Sequence, residues 1–259
     1  MQLSEIVDTA TYALNDAAFV ARCRERLQTD GVLVLSDFIR PDTLSAMRQE
    51  AQDKSDQAFF CTQSHSVYLT PENPDFPADH PANRKVISSK GCICDDEVDA
   101  TSPLRLLYDD LTFRAFVAQV TGETKLHAYA DPLSSINVHY ANRGQELGWH
   151  FDNSSFAITL LIQKPETGSR FEYLKDLRNA DAGEMNYSAV GALLDGDTSP
   201  EILSMAPGAL VLFRGRNSIH RVSPNESDTT RILAVLAYNT KPGVSLSESA
   251  RMTFYGRLG

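Results

Sequence analysis

The sequence predicts an α+β fold that is mainly β: a double-stranded β-helix, or jelly roll, with N-terminal and flanking helices. Three observations predict it. Between residues 125 and 240, short runs of β-formers alternate with turn residues. About eight such runs occur, enough for a double-sheet jelly roll. Ahead of them the chain has helical periodicity, and no linker, repeat or low-complexity tract separates the two parts. A single domain over residues 1–259 is therefore expected. Its portion 1–124, of helices and short strands, would pack on a core 125–240, followed by a tail 241–259.

The elements are justified in chain order. Asn15 is placed to cap a helix through Thr29, with Phe19, Cys23 and Leu27 on one face and Gly31 ending it. Residues 31–35 then read as a buried strand. Pro41 opens a second helix that aligns Leu44, Met47 and Ala51. Residues 65–84 hold four prolines, Pro71, Pro74, Pro77 and Pro81, and read as a long loop, a wall or lid for a pocket. Ser102 to Val120 gives one or two helices. The expected strands are 126–130, 136–140, 149–151, 156–163, 170–174, 209–213, 219–222 and 232–238. In the tail, Arg251, Phe254 and Tyr255 suggest packing back onto the domain.

Composition narrows the function classes. The 259 residues include 24 Lys+Arg against 34 Asp+Glu, a net charge of −10. An acidic surface repels phosphate backbones, which argues against nucleic acid as a partner. No run approaches the roughly 18 apolar residues needed to span a bilayer, so no membrane partner is expected either. The N-terminus lacks the pattern of a secretory signal, and four cysteines suit reduced thiols; both point to the cytoplasm. Cys92 and Cys94 lack a second pair, which disfavours zinc. The oligomeric state is not set by any of these features.

The residues that suggest chemistry lie in the second half. His150 and Asp152 are two apart, so in a strand both project to one side. With 6 histidines and 34 acidic residues, one such spacing is expected by chance alone. Context raises its value, because the pair precedes an apolar run, near a strand end where a jelly-roll cavity opens. His220 follows a Pro207-Gly208 turn and a buried strand, and begins the next one. Two imidazoles and one carboxylate on one face leave octahedral positions open, the arrangement of non-haem Fe(II) oxygenases. Two structural histidines fit the same residues equally well until Arg231 is counted. Arg231 begins the last apolar strand, and a guanidinium buried at a barrel mouth needs an anion. The distal carboxylate of 2-oxoglutarate matches its bidentate geometry.

At this point the sequence resembles the Fe(II)/2-oxoglutarate-dependent oxygenase superfamily, on the order His-x-Asp, His, then Arg across residues 125–240. The strings from Gly144 to Asn153 and from Leu212 to Val222 are also similar to the branch of free-amino-acid radical halogenases and related hydroxylases. The resemblance implies Fe(II) and 2-oxoglutarate as cofactors and O2 as co-substrate. It also implies oxidative decarboxylation to succinate and CO2, coupled to attack on an unactivated C–H bond. In that branch, halogenases lack the metal carboxylate and chloride takes its place. Asp152 therefore implies a hydroxylase. The polar residues that grip the ammonium-bearing chain of lysine in the halogenases are not evident, which puts lysine itself in doubt.

The expected activity is hydroxylation of a small polar metabolite, a free amino acid or derivative. His150, Asp152 and His220 are the catalytic metal ligands. Arg231, Thr159 and His139 would face the co-substrate, and Asn137, Asn153, Arg170 and Arg221 the substrate. Thr159 shares its strand face with Gln163 in this reading. Two alternatives stay open: the same cofactor chemistry ending in halogenation, desaturation or cyclisation, and a cupin-like protein that binds metal or ligand without oxidation.

Overall fold

The structure is a computed structural model that describes residues 1–259. A short helix α1 (Leu3–Ile6) leads to α2 (Ala17–Asp30), β1 (Val32–Leu35) and α3 (Pro41–Asp53). Asp16, one residue beyond the expected Asn15, caps α2 by accepting the Phe19 N–H at 2.7 Å. Gly31 ends α2 with φ 74°, a left-handed conformation that costs a glycine little. Next come β2 (Phe59–Ser66), β3 (Lys85–Ile93), α4 (Pro103–Asp109) and α5 (Leu111–Thr121). The core strands are β4 (Ile136–Ala141), β5 (Leu147–His150), β6 (Ala157–Gln163), β7 (Phe171–Leu174), β8 (Glu201–Leu203), β9 (Leu210–Phe213), β10 (Ile219–Val222) and β11 (Arg231–Leu236). Helix α6 (Tyr187–Asp195) sits between β7 and β8, and α7 (Glu248–Tyr255) closes the chain.

The strands form one curled, antiparallel sheet in the order β1-β9-β6-β11-β4-β3-β5-β10-β7-β8, with β2 added to β3. This is the expected jelly roll. One half is β1-β9-β6-β11-β4 and the other β5-β10-β7-β8. Strand β3 joins them, pairing with β4 through residues 91–93 and with β5 through Ser88. Alternation along each strand then decides what lines the cavity. On β4, β6, β9 and β11, one face supplies Ile136, Val138, Tyr140, Ile158, Leu160, Leu212, Ile232 and Ala234 to the main core. Leu27, Met47, Leu107 and Phe116 from α2 to α5 cover that face. The opposite face of these strands is left to the cavity.

Three differences from the sequence reading have physical causes. Residues 126–130 contribute only an isolated bridge, His127 to Asn239, because no neighbouring strand extends far enough to pair them. Strands β2 and β3 were not expected. Their polar residues hide the alternation, and they pair with each other across a loop of 18 residues, 67–84. That loop packs behind the metal-bearing strand instead of over the cavity: Val67 and Tyr68 cluster with Trp149, Phe151 and α6, and the Val67 carbonyl accepts the Phe151 N–H at 2.9 Å. The tail packs back onto the domain as expected: it forms α7, whose Tyr255 is buried against Cys92, Cys94 and Leu133. All four cysteines are free thiols, and no helix is long and apolar enough to cross a membrane.

Candidate metal centre and co-substrate site

Antiparallel pairing builds the centre. His150 at the end of β5 lies directly opposite His220 on β10, so both imidazoles project from one face with ring centroids 4.2 Å apart. Two residues on, Asp152 leaves the strand and is held by its N–H, which donates to the Gly215 carbonyl at 3.0 Å. Its Oδ1 lies 3.7 Å from His150 Nε2 and 3.6 Å from His220 Nε2. Both rings are fixed from behind. His150 Nδ1 donates to the Gly148 carbonyl at 2.8 Å and His220 Nδ1 to the Ser218 carbonyl at 3.1 Å. A carbonyl only accepts, so each Nδ1 carries the proton and each Nε2 offers a lone pair toward Asp152.

The residues fit an Fe(II) ion. His150, Asp152 and His220 offer two nitrogens and an oxygen within 4.8 Å of one another, a facial set that leaves positions open. Asp152 Oδ2 is buried with no hydrogen-bond partner, a costly state for a carboxylate without a cation. Burial, followed by the neighbouring His220, holds His150 well below the usual histidine range and keeps it in its ligating form. Gly215 guards the same space. A Cβ there would collide with Asp152 Oδ2 and come within 2.9 Å of His220 Cε1.

On the other half of the barrel, Arg231 opens β11 beside Ala141 of β4 and is 9% exposed. It has neither an ion pair nor a side-chain hydrogen bond. Burial alone lowers its pKa to about 10. A buried guanidinium without a counter-ion is the complement of a ligand carboxylate. His139 shares this face with Arg231, two residues along β4 from Ala141, and feels its charge. Thr159 on β6 pairs with Val235 and lines the same cavity. Gln163 does not share that face: a shift in register at Ile232 turns it outward, where it accepts from Gln52 and donates to the Thr230 carbonyl.

The residues expected to face substrate are placed differently from one another. Asn137 is used up: its amide donates to the Leu133 and Ile136 carbonyls, and its oxygen accepts Tyr255 Oη at 2.9 Å. Asn153 is exposed just past Asp152, and its backbone carbonyl accepts from Arg216 at 3.2 Å. Arg170 and Arg221 are not brought to the site. Both turn to the outer face and pair with buried Glu172, at 3.4 and 2.7 Å, and Arg221 also lies over the Trp149 ring.

Four site residues were missed by sequence reading. Arg178 is buried, stacks 4.1 Å over the Phe151 ring and reaches the Asp152 carbonyl at 3.5 Å. His65 sits with its ring 6.4 Å from His150 and bonds Ser88 Oγ at 2.7 Å; that hydroxyl accepts the Gly148 N–H. Lys90 lies against His139. None of these belongs to a motif. Only the alternation of His65, Ser88 and Lys90 along β2 and β3 could have signalled them.

Comparison with known proteins agrees with this geometry. The family model described as Halogenase D matches residues 76–253. A search of curated proteins finds no match. Among solved structures, the non-haem α-ketoglutarate-dependent carbocyclase SnoK from nogalamycin biosynthesis aligns with TM-score 0.58 at 10% identity, covering 89% of this chain and 89% of its own. EctD from S. alaskensis, with 2-oxoglutarate and 5-hydroxyectoine, aligns with TM-score 0.54 at 18% identity over 87% and 77% of the two chains. A prolyl-4-hydroxylase of Pseudomonas putida gives TM-score 0.51 at 12% identity over 83% and 96%. These likenesses establish the fold, and the family model covers more than half of the chain. With the two histidines and the aspartate converging as an Fe(II) site requires, the chain belongs to the Halogenase D family and is a 2-oxoglutarate-dependent, non-haem iron oxygenase.

Proposed function

We propose that the chain is a hydroxylase of a small polar metabolite, of the free amino acid class. The observation that carries this reading is Asp152. Its carboxylate faces both Nε2 atoms and so would take the place that a halide would need on a bound metal. Its second oxygen is buried and free. A family described by halogenation gives weight to a chlorinating outcome, and the retained carboxylate weighs against it.

When bound, iron would supply activation of O2, with 2-oxoglutarate as the source of the other two electrons. The protein does the rest. His150 and His220 present fixed lone pairs, and neither acts as acid or base. Arg231 would hold the far carboxylate of 2-oxoglutarate, with Thr159 and His139 alongside it. Gly215 keeps the space beside Asp152 open. The apolar inner residues Val211, Phe213 and Phe171 close one end of the cavity and exclude water behind His220. The free thiols fit a reducing, cytoplasmic setting.

The test is substrate-coupled release of succinate that requires Fe(II). A screen of free amino acids is expected to yield a product heavier by one oxygen. A gain of chlorine, or a loss of two hydrogens, would replace hydroxylation by halogenation or desaturation. Failure of 2-oxoglutarate to give a metal-to-ligand absorption band on the anaerobic iron-loaded protein would leave the cupin-like reading.

A further inference from the structure

The three metal ligands are anchored unequally. His150 and His220 sit on paired strands, and each ring is fixed through its Nδ1. Asp152 lies past the end of β5, and its Oδ2 has no hydrogen-bond partner. Nothing grips the carboxylate from behind as the Gly148 and Ser218 carbonyls grip the rings. Its place therefore depends on how firmly its backbone is held.

That hold comes from a segment without a metal ligand. Residues 175–186 join β7 to α6 and carry Arg178, which is buried. Its guanidinium lies 4.1 Å over the ring of Phe151, the residue between His150 and Asp152. Its Nε donates to the Arg216 carbonyl at 2.7 Å, and a terminal nitrogen reaches the Asp152 carbonyl at 3.5 Å. Its backbone N–H donates to the Asn217 carbonyl at 3.2 Å. One residue thus spans the end of β5 and the turn that leads to His220. The only other ties across this gap are the Asp152 N–H to the Gly215 carbonyl at 3.0 Å and Arg216 to the Asn153 carbonyl at 3.2 Å.

Packing alone does not call for an arginine here. Methionine would fill much of the same space without the cost of desolvating a charge. What a guanidinium adds is a rigid, planar set of donors that reaches two carbonyls while its face lies on an aromatic ring. Both carbonyls belong to segments next to metal ligands.

Resting on the metal centre described above, we infer that Arg178 is a positioning residue for the carboxylate ligand. By stacking on Phe151 and joining the Asp152 and Arg216 carbonyls, it sets how closely Asp152 approaches the two histidines. Groups that orient a metal ligand in this way are worth about 10- to 100-fold in metal affinity.

The experiment uses the full chain under anaerobic conditions, titrated with Fe(II) by calorimetry, with Arg178→Met compared to Asp181→Ala. Asp181 lies on the same segment and pairs with Arg216 at 2.6 Å, but its side chain is 73% exposed. An exposed pair contributes little, so Asp181→Ala should weaken Fe(II) by about 5-fold at most. Arg178→Met should weaken it by about 10- to 100-fold. With iron and 2-oxoglutarate both saturating, the metal-to-ligand band should also move in Arg178→Met, because its energy follows the donors on iron. It should stay in place in Asp181→Ala. Should Arg178→Met not fold, Arg178→Gln, which keeps one donor for the Arg216 carbonyl, is read by the same two criteria. An Arg178 variant that loses no more affinity than Asp181→Ala would overturn the inference. So would a band that keeps its position at iron saturation, since the carboxylate would then be placed without Arg178. If the parent protein takes up no Fe(II), it is the metal centre itself that fails.

Discussion

The two faces of the barrel wall treat buried charge in opposite ways. On the outer face, Glu172 is 4% exposed and is met by both Arg170 and Arg221, so its charge is balanced within the protein. On the inner face, Arg231 feels burial and no acid, and Asp152 Oδ2 has no donor. The same residue types appear in both places. What separates them is compensation: a balanced buried charge is part of the structure, and an unbalanced one is half of a contact whose other half is a ligand.

The sharpest break of this contrast is at the metal. Gly215→Ala places a methyl group against Asp152 Oδ2 and His220, so it should abolish Fe(II) binding measured by calorimetry. Normal iron affinity in that variant would mean that the two groups do not share an ion. Asp152→Gly should lose hydroxylation even with chloride present, read as the absence of an oxygenated product.

Arg231 comes next, and it separates function from stability. Arg231→Met should weaken 2-oxoglutarate by about 2–5 kcal/mol, the cost of removing one partner from a buried ionic contact. Without ligand, the same change removes an unbalanced buried charge. The apo protein should then melt higher, by about 2–4 °C for each kcal/mol relieved. An apo protein destabilised by Arg231→Met would show that Arg231 has an internal partner.

The outer face supplies the opposite outcome. Glu172→Gln should cost about 1–3 kcal/mol of stability in urea unfolding, because two arginines lose their shared acceptor. Its 2-oxoglutarate affinity should stay unchanged. A large loss of affinity would place Arg170 or Arg221 in the site after all.

This contrast also explains what could be read in the sequence. The metal ligands were legible because His150 and His220 ride on strands, Asp152 follows His150 by two residues, and His220 follows a turn that Pro207-Gly208 announces. Arg231 was legible by its place at the head of an apolar strand. Arg170 and Arg221 looked alike in sequence and proved structural, since only the pairing of β7 with β10 brings Glu172 to both. Lys90 and His65 were hidden because β2 and β3 hold serines, threonine and glutamine where a core strand would hold valine or isoleucine. Their pairing depends on closure of an 18-residue loop, which local periodicity does not report. Helix α6 was missed for a similar reason: it starts from Asn186 in a left-handed conformation, without a side-chain cap.

The smallest expected effect is a pH dependence that belongs to the inner face alone. Burial, then the charge of Lys90, holds His139 below the ordinary histidine range; burial and His220 do the same to His150. In the unfolded chain both titrate near the ordinary value, about 6.5. Between the folded and unfolded pKa values the unfolded chain binds more protons, so stability rises with pH there. The contribution is fully present above about pH 6.5 and is lost as pH falls below it, by up to about 1.4 kcal/mol per pH unit for each histidine. Chelator-treated protein, unfolded in urea from pH 7.5 down to 5, should show this acid limb. His139→Gln should make it shallower, while Glu172→Gln should leave its slope as it was. If the limb keeps its slope in His139→Gln, protonation of His139 is not opposed by the fold, and the unbalanced positive charge assigned to the inner face is screened by water.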